Sequence, residues 1–339
     1  MFNPAHYYLM VFVLPQIPFQ LESSVQILLK NNVEIYYLER VGKMKMINRS
    51  VQLSGGNKCF VRCPGCYNFF SNKDYLTKDL LHFLFELKER TGIPKITMAG
   101  GEPLARWDMP YILRNLKKMG YRINLDTVGL SLIKDVEIGT NKIVNKISAE
   151  DIVHSVDIIG IPFDGSTDYI INHFRRNLKV NEIIRILEEL SLKGANLCIN
   201  TVVHKNNIDD IINIFNLIKG YQNIKKWQLF QFMPIGPGGY KNRLKYELSD
   251  EDFNSLEKIL TSFNNTSIEI QLKSRLNRKN KYLLIDGEGI VWVPQQNNHD
   301  YWLSEDENNE RILLGNIAEK DAVNSILSLL VNHELAETT

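Results

Sequence analysis

The chain has 339 residues, 44% of them hydrophobic and 23% charged, with a formal net charge of +1. That length allows a sizeable core in one large domain or two smaller ones. Near-neutrality removes any global electrostatic case for nucleic acid or an acidic membrane as partner, and no segment reaches the roughly 18 apolar residues of a spanning helix.

In chain order, the first ~50 residues read as a small preface. It holds a strand at Tyr7–Leu14, a helix near Leu21–Leu29 and a strand at Val33–Leu38. Strand and helix signals then alternate. Ser50–Leu53 is a strand running into Gly55-Gly56, and Leu76–Thr91 is an amphipathic helix stopped by Gly92 and Pro94. Lys95–Ala99 is a strand that ends at Gly100-Gly101-Glu102-Pro103, Asp108–Met119 a helix, and Arg122–Asp126 a strand. Residues 131–151 are irregular and predict an insertion. Val156–Phe163 is a strand closed by Asp164-Gly165, and Val180–Leu192 a helix ended by Gly194. Asn196–Val203 is a strand, Ile208–Ile218 a helix, and Trp227–Ile235 a strand closed by a turn at Gly236-Pro237-Gly238-Gly239. Ser249 caps a helix running to about Leu260.

Beyond that point the rhythm changes. Short strands follow at Ser267–Leu272, Tyr282–Asp286 and Ile290–Val293, the last two joined by a hairpin at Gly287-Glu288-Gly289. A polar loop over 295–311 and a helix at Asp321–Leu330 complete the pattern.

Six strand–helix alternations predict an α/β fold with a parallel sheet covered on both faces. Six units are too few for a closed eight-fold barrel, so the expectation is a partial (β/α)6 TIM-like barrel or an open sheet, with small N-terminal and C-terminal extensions. The divisions expected are 1–49 as an accessory segment, 50–240 as the core, and 241–339 as an extension that completes the barrel and covers the site. In such folds ligands sit at the carboxyl ends of strands. The strand ends here carry the glycine turn at 100–103, Asp164 and Asn200.

The first strand end carries the most specific chemistry: Cys59-Phe-Val-Arg-Cys63-Pro-Gly-Cys66. This C-x3-C-x2-C run places three of the four cysteines within eight residues. Four clustered or isolated cysteines with no export signal predict a reducing cytoplasm rather than a disulfide framework. A structural zinc site wants four protein ligands in a closed tetrahedron. His82, His173 or His204 would have to supply the fourth, and none stands at zinc-finger spacing. A four-iron cluster on three thiolates leaves one iron open to a ligand.

The cysteine loop and the Gly100-Gly101-Glu102-Pro103 turn together resemble the radical S-adenosylmethionine (SAM) superfamily, over roughly residues 50–240. The patterns Asn200-Thr-Val-Val203, Trp227-Gln-Leu-Phe-Gln231 and Pro234-Ile-Gly236 are most similar to its molybdenum-cofactor-enzyme and viperin-like branch. The run Cys63-Pro-Gly-Cys-Tyr-Asn68 is locally similar to activating enzymes of anaerobic ribonucleotide reductase.

The resemblance implies that Cys59, Cys63 and Cys66 hold a [4Fe–4S] cluster whose open iron chelates SAM. Gly100, Gly101, Glu102 and Pro103 would meet the methionine amino group. Reductive cleavage would give a 5′-deoxyadenosyl radical that removes hydrogen from a substrate. By position, Asp164 and Ser166 fall where the family contacts the ligand. Asn200 and Thr201 would meet the ribose or methionine carboxylate, and Gln231 and Phe232 the adenine or substrate. The family's bulky apolar residue before the third cysteine is here Gly65, and Tyr67 is expected to compensate.

Cys198 is expected as a buried, inert thiol, which argues against a second cluster. The residues of His173-Phe-Arg-Arg176 are expected to face solvent, and Trp227, Phe230 and Phe232 to lie in the core. The substrate expected is a nucleotide-like small molecule, with a ribosomally made peptide, a glycyl-radical partner protein and a non-catalytic zinc module as alternatives. A flavodoxin- or ferredoxin-like protein would supply the electron.

Overall fold

The computed structural model describes residues 50–336 apart from 69, 72, 140, 141, 264, 265, 276–281 and 295–310. The elements expected in residues 1–49 and the loop expected over 295–311 therefore lie outside the described residues, except for residue 311.

The strands are β1 (Ser50–Ser54), β2 (Lys95–Ala99), β3 (Arg122–Asp126), β4 (Val136–Ile138), β5 (Lys142–Val144), β6 (Ile158–Pro162), β7 (Leu197–Val203), β8 (Ile224–Gln231), β9 (Glu269–Lys273), β10 (Tyr282–Ile285), β11 (Ile290–Pro294) and β12 (Arg311–Asn316). The helices are α1 (Thr77–Thr91), α2 (Met109–Lys118), α3 (Ala149–Val153), α4 (Asp168–Phe174), α5 (Val180–Leu192), α6 (Ile211–Ile218), α7 (Gly236–Lys241), α8 (Arg243–Tyr246), α9 (Asp250–Leu260) and α10 (Ala322–Ala336).

Ten strands form one sheet in the order β12-β11-β10-β1-β2-β3-β6-β7-β8-β9. From β10 to β9 all neighbours are parallel; β11 and β12 add antiparallel strands beside β10. Among the described residues the two ends of the sheet do not pair, so the barrel is partial. The expected core of six strands is thus extended at one end by β9 and at the other by β10 to β12. The irregular insertion resolves into a separate hairpin of β4 and β5 followed by α3.

Helix ends follow local chemistry. Gly92 ends α1 with φ +67° and donates its N–H to the Lys88 carbonyl. The Ser249 hydroxyl caps α9 by accepting from the Asp252 N–H at 3.0 Å. The buried faces recur at helical spacing, as in Leu80, Phe83, Leu84 and Leu87 of α1 and Ile183, Ile186, Leu187 and Leu190 of α5.

The expectation of a sheet covered on both faces holds along β2 and β6, where Ile96, Thr97 and Met98 and Ile159 to Pro162 are buried in succession, but not along β3 and β8. Burial alternates along β3 and β8, with Ile123, Leu125, Trp227 and Leu229 fully buried against the helices and Asn124, Asp126, Gln228 and Phe230 only half-buried. On these two strands one face is core and the other, mostly polar, is less covered. Two local expectations also change. Strand β8 starts and ends earlier than Trp227–Ile235: it opens at buried Ile224, a register shift against β7 leaves Lys225 as an extra, exposed residue, and Lys226 takes the non-core position beside Trp227. The Gly236–Gly239 turn is instead the start of a short helix, α7.

Candidate active site at the strand ends

The chain leaves β1 through Gly55, whose N–H donates to the Ala99 carbonyl at 2.7 Å. A side chain there would sit 2.5 Å from the Cα of Pro103. The loop is then pinned twice: the Asn57 N–H donates to Asp74 at 2.8 Å, and the Glu102 N–H donates to the Lys58 carbonyl at 2.7 Å. Cys66 N–H closes a turn onto the Cys63 carbonyl, and Asn68 N–H points at the Cys66 sulfur at 3.4 Å. The three cysteines are free thiols on the wall of a cavity of about 1120 Å³. Burial pushes all three thiols up, Cys63 to about 12 despite the opposing Arg175 charge. Loading a metal would have to displace these protons.

The glycine turn faces the same cavity. Gly100 and Gly101 have φ of +68° and +58°, a region only glycine adopts freely. A Cβ on Gly101 would run into the Gly56 carbonyl and lie 2.9 Å from that of Lys58. Glu102 is almost wholly buried. Its carboxylate accepts from the N–H groups of Leu104 at 3.0 Å and Val128 at 2.7 Å and from the Thr127 hydroxyl. Burial nevertheless pushes it up to about 6. Glu102 therefore ties the glycine turn to the end of β3, while Pro103 is buried and does not line the cavity.

Of the other residues singled out in the sequence, Tyr67, Asn200, Gln231 and Phe232 line the cavity. The Asn200 amide donates to Asp126 at 2.9 Å and meets the Cys198 sulfur at 3.5 Å. Gln231 donates to Asp250 at 2.8 Å and accepts from the Arg275 N–H at 3.0 Å. Asp164 and Ser166 stand behind the wall. Asp164 is buried, accepts from the Val202 N–H at 2.6 Å and pairs with Arg175; Ser166 is held by Asp210. Thr201 is buried, its hydroxyl donating to the Phe163 carbonyl and accepting from the Trp227 indole. Cys198 is buried and does not line the cavity.

One expectation is overturned outright. Arg175 does not face solvent: its side chain is 17% exposed, pairs with Asp164, and brings Nη1 to 3.9 Å from the Cys63 sulfur. Arg176 beside it is exposed and does line the cavity.

The missing bulk at Gly65 is also explained. A Cβ there would lie 2.6 Å from Phe174 and 2.8 Å from Phe232, so these two rings occupy the space. They belong to an aromatic cluster with Tyr246. Tyr67, 42% exposed at the rim, plays no part in it.

Sequence reasoning missed three groups. Asp126, half-buried on the cavity wall, is pushed up to about 6 by burial. Gly160 gives it room, since a Cβ there would collide with the Asp126 carboxylate. Gly236 and Gly238 of α7 let that helix lie on the cysteine loop: a Cβ on Gly238 would be 2.7 Å from the Cys66 carbonyl. Asn242 then donates to the Pro64 carbonyl at 2.7 Å. The sequence signal was present as a Gly-rich run, but its partner lies about 170 residues away.

The donor set suits an open iron–sulfur cluster. It offers three soft thiol ligands, and among the described residues no histidine lines the cavity to close a zinc tetrahedron. His82 lies on α1 near Glu86, and His204 is buried against Phe174 and Tyr246. Among the described residues no three His, Cys, Asp or Glu side chains converge on a single-ion site.

Comparison with known proteins agrees. The family profile described as the Radical SAM superfamily matches residues 53–218. The chain is 25% identical over 222 residues to a GTP 3′,8-cyclase of Staphylococcus epidermidis, a match spanning 62% of each chain. It is 25% identical over 260 residues to an S-adenosylmethionine-dependent nucleotide dehydratase of Flammeovirga pacifica, covering 72% of this chain and 81% of that one. The fold superimposes on native anSMEcpe with bound AdoMet with a TM-score of 0.59 at 19% identity, over 84% of this chain and 82% of that one. SuiB of Streptococcus suis bound to S-adenosylmethionine gives a TM-score of 0.59 at 13% identity, over 74% and 62%. A [4Fe–4S] cluster and SAM are the cofactors of this superfamily, and three thiols beside a glycine turn on one parallel-sheet rim are what such cofactors require. The chain carries a radical SAM domain over residues 53–218.

Proposed function

We propose that this protein cleaves SAM reductively and uses the resulting 5′-deoxyadenosyl radical to take hydrogen from a nucleotide-like small molecule. The observation that carries the reading is the convergence of Cys59, Cys63 and Cys66 with the Gly100-Gly101 turn on one cavity at the strand ends. The names of two relatives that act on nucleotides support the substrate class.

In this reading Cys59, Cys63 and Cys66 hold the cluster, which when bound supplies the electron for SAM cleavage. The Gly100 and Gly101 backbone approaches the methionine ammonium, and Asp126 offers it a carboxylate. Arg175, held by Asp164, places a fixed positive charge beside the Cys63 sulfur. Asn200, Gln231 and Tyr67 shape the walls. Glu102, Pro103 and Ser166 act by positioning the backbone. Arg176, exposed at the cavity edge, suits an anionic group on the substrate. Residues 50–240 form the catalytic core, and the extension beyond them contributes Leu284 and Trp292 to the cavity. A flavodoxin- or ferredoxin-like protein is the electron donor in this scheme.

The test is anaerobic reconstitution with iron and sulfide, then dithionite and SAM, with 5′-deoxyadenosine as the readout. The wild type forms it, and Cys63→Ala does not. A folded wild type that takes up no iron, or never cleaves SAM, would remove the proposal.

A further inference from the structure

Three side chains on neighbouring strands make a row that the SAM chemistry does not use. Gln52 on β1 stands in register with Leu284 on β10, and Leu284 with Trp292 on β11. In-register neighbours on adjacent strands share a face, and all three line the cavity. They also surround a side recess of about 30 Å³, together with Tyr67, Asn68 and Gly100. The row therefore abuts both the cysteine loop and the glycine turn.

The polar groups of this row are unspent. The Gln52 carboxamide has no hydrogen-bond partner among the described residues, although its residue is half-buried. The Trp292 indole N–H is buried with no acceptor, in a residue only 7% exposed. Buried donors are ordinarily satisfied, and one left unmade is costly. The indole is also held in place. Arg311 lies over its ring, 5.6 Å from the centroid, and Arg311 is tied to Asp286 at 3.3 Å. Leu284, 8% exposed, adds an apolar floor between the two polar groups.

An amide that can both donate and accept, a fixed N–H donor and an apolar platform together match the edge of a planar cyclic amide. We propose that Gln52, Leu284 and Trp292 form the subsite that reads the nucleobase of the substrate. This rests on the nucleotide reading given above and assigns specificity to a wall built from β1 and the C-terminal hairpin. The Gln52 carboxamide meets a donor–acceptor pair on the base edge, and the Trp292 N–H meets a further acceptor.

The experiment uses the reconstituted, SAM-loaded holoenzyme and equilibrium binding of the four ribonucleoside triphosphates, with ribose 5-triphosphate as a baseless control. One base is expected to bind at least roughly tenfold tighter than the control, since a good bidentate base contact discriminates by roughly 10- to 100-fold. Gln52→Glu, which replaces the donor NH₂ by an acceptor, should reorder the preference among bases. Trp292→Phe should weaken the preferred base and leave ribose 5-triphosphate unchanged. SAM affinity, measured alongside, reports whether each variant keeps its fold. If the wild type binds no base more tightly than the control, or if the variants weaken all five ligands equally, the subsite is wrong. Failure of the wild type to form 5′-deoxyadenosine would instead strike the enzyme reading, and the two failures are separately visible.

Discussion

His204 sits fully buried between Phe174 and Tyr246 with Nε2 unpartnered. Burial lowers it from 6.5 to about 3, helped by the nearby charges of His173, Arg175 and Lys245. The unfolded imidazole takes up a proton near pH 6.5 and the folded one does not. Stability is thus complete above that value and lost as pH falls, by about 2 kcal/mol at pH ~5. Urea unfolding at pH ~5 and ~7.5 should show this slope in the wild type and a flatter one in His204→Gln; equal slopes would assign the acid sensitivity elsewhere. The glycines offer a second contrast at this scale. Gly92→Ala meets open space and should cost about 1 kcal/mol through its positive φ alone. Gly101→Ala has the same backbone strain and also meets two carbonyls. It should cost roughly 2 kcal/mol or more, lower the thermal midpoint further than Gly92→Ala, and weaken SAM binding. At the residue scale the sequence announced those groups whose identity alone carries chemistry, such as the cysteines and the glycine turn. Arg175 and Asp126 escaped because an arginine after a helix and an aspartate at a strand end look the same whether they face water or a cavity.

Helix α7 shows what a short element does for a long-range site. Its glycines let backbone meet backbone across the cysteine loop, and Asn242 adds a hydrogen bond to Pro64. Gly238→Ala should push the helix off the loop without touching any thiol. Expected outcomes are a fall in iron per chain of roughly half or more after reconstitution and faster alkylation of the thiols in the apoprotein. Unchanged iron content and labelling rate would mean the packing is incidental. Element boundaries were readable wherever period and punctuation agreed, as at Lys95–Ala99, Arg122–Asp126 and Val180–Leu192. They were misread where composition misled. Lys225 and Lys226 hid the start of β8, and a Pro-Gly-rich run looked like a turn although its first residues open a helix.

Over the whole molecule, strand order was the least legible property. Nothing local says that β10, more than 200 residues downstream, lies beside β1. Parallel pairing of this kind is fixed only by the assembled sheet. Removal of residues 282–339 should therefore damage the first strand as much as the last. It strips the neighbour of β1, with its buried Val51 and Leu53, and the helix α10 that packs on α1 through the Arg90–Asn324 hydrogen bond. The truncated chain should run as aggregate on size exclusion, as unpaired apolar edges do; a soluble monomer with native circular dichroism would contradict this. The alternation along the strands has a further implication. Odd and even positions of one strand answer to different masters: Val51 and Leu53 to cohesion, Gln52 between them to recognition. A lineage can rewrite the second set while the first stays still, so that a change of diet need not cost the molecule its shape.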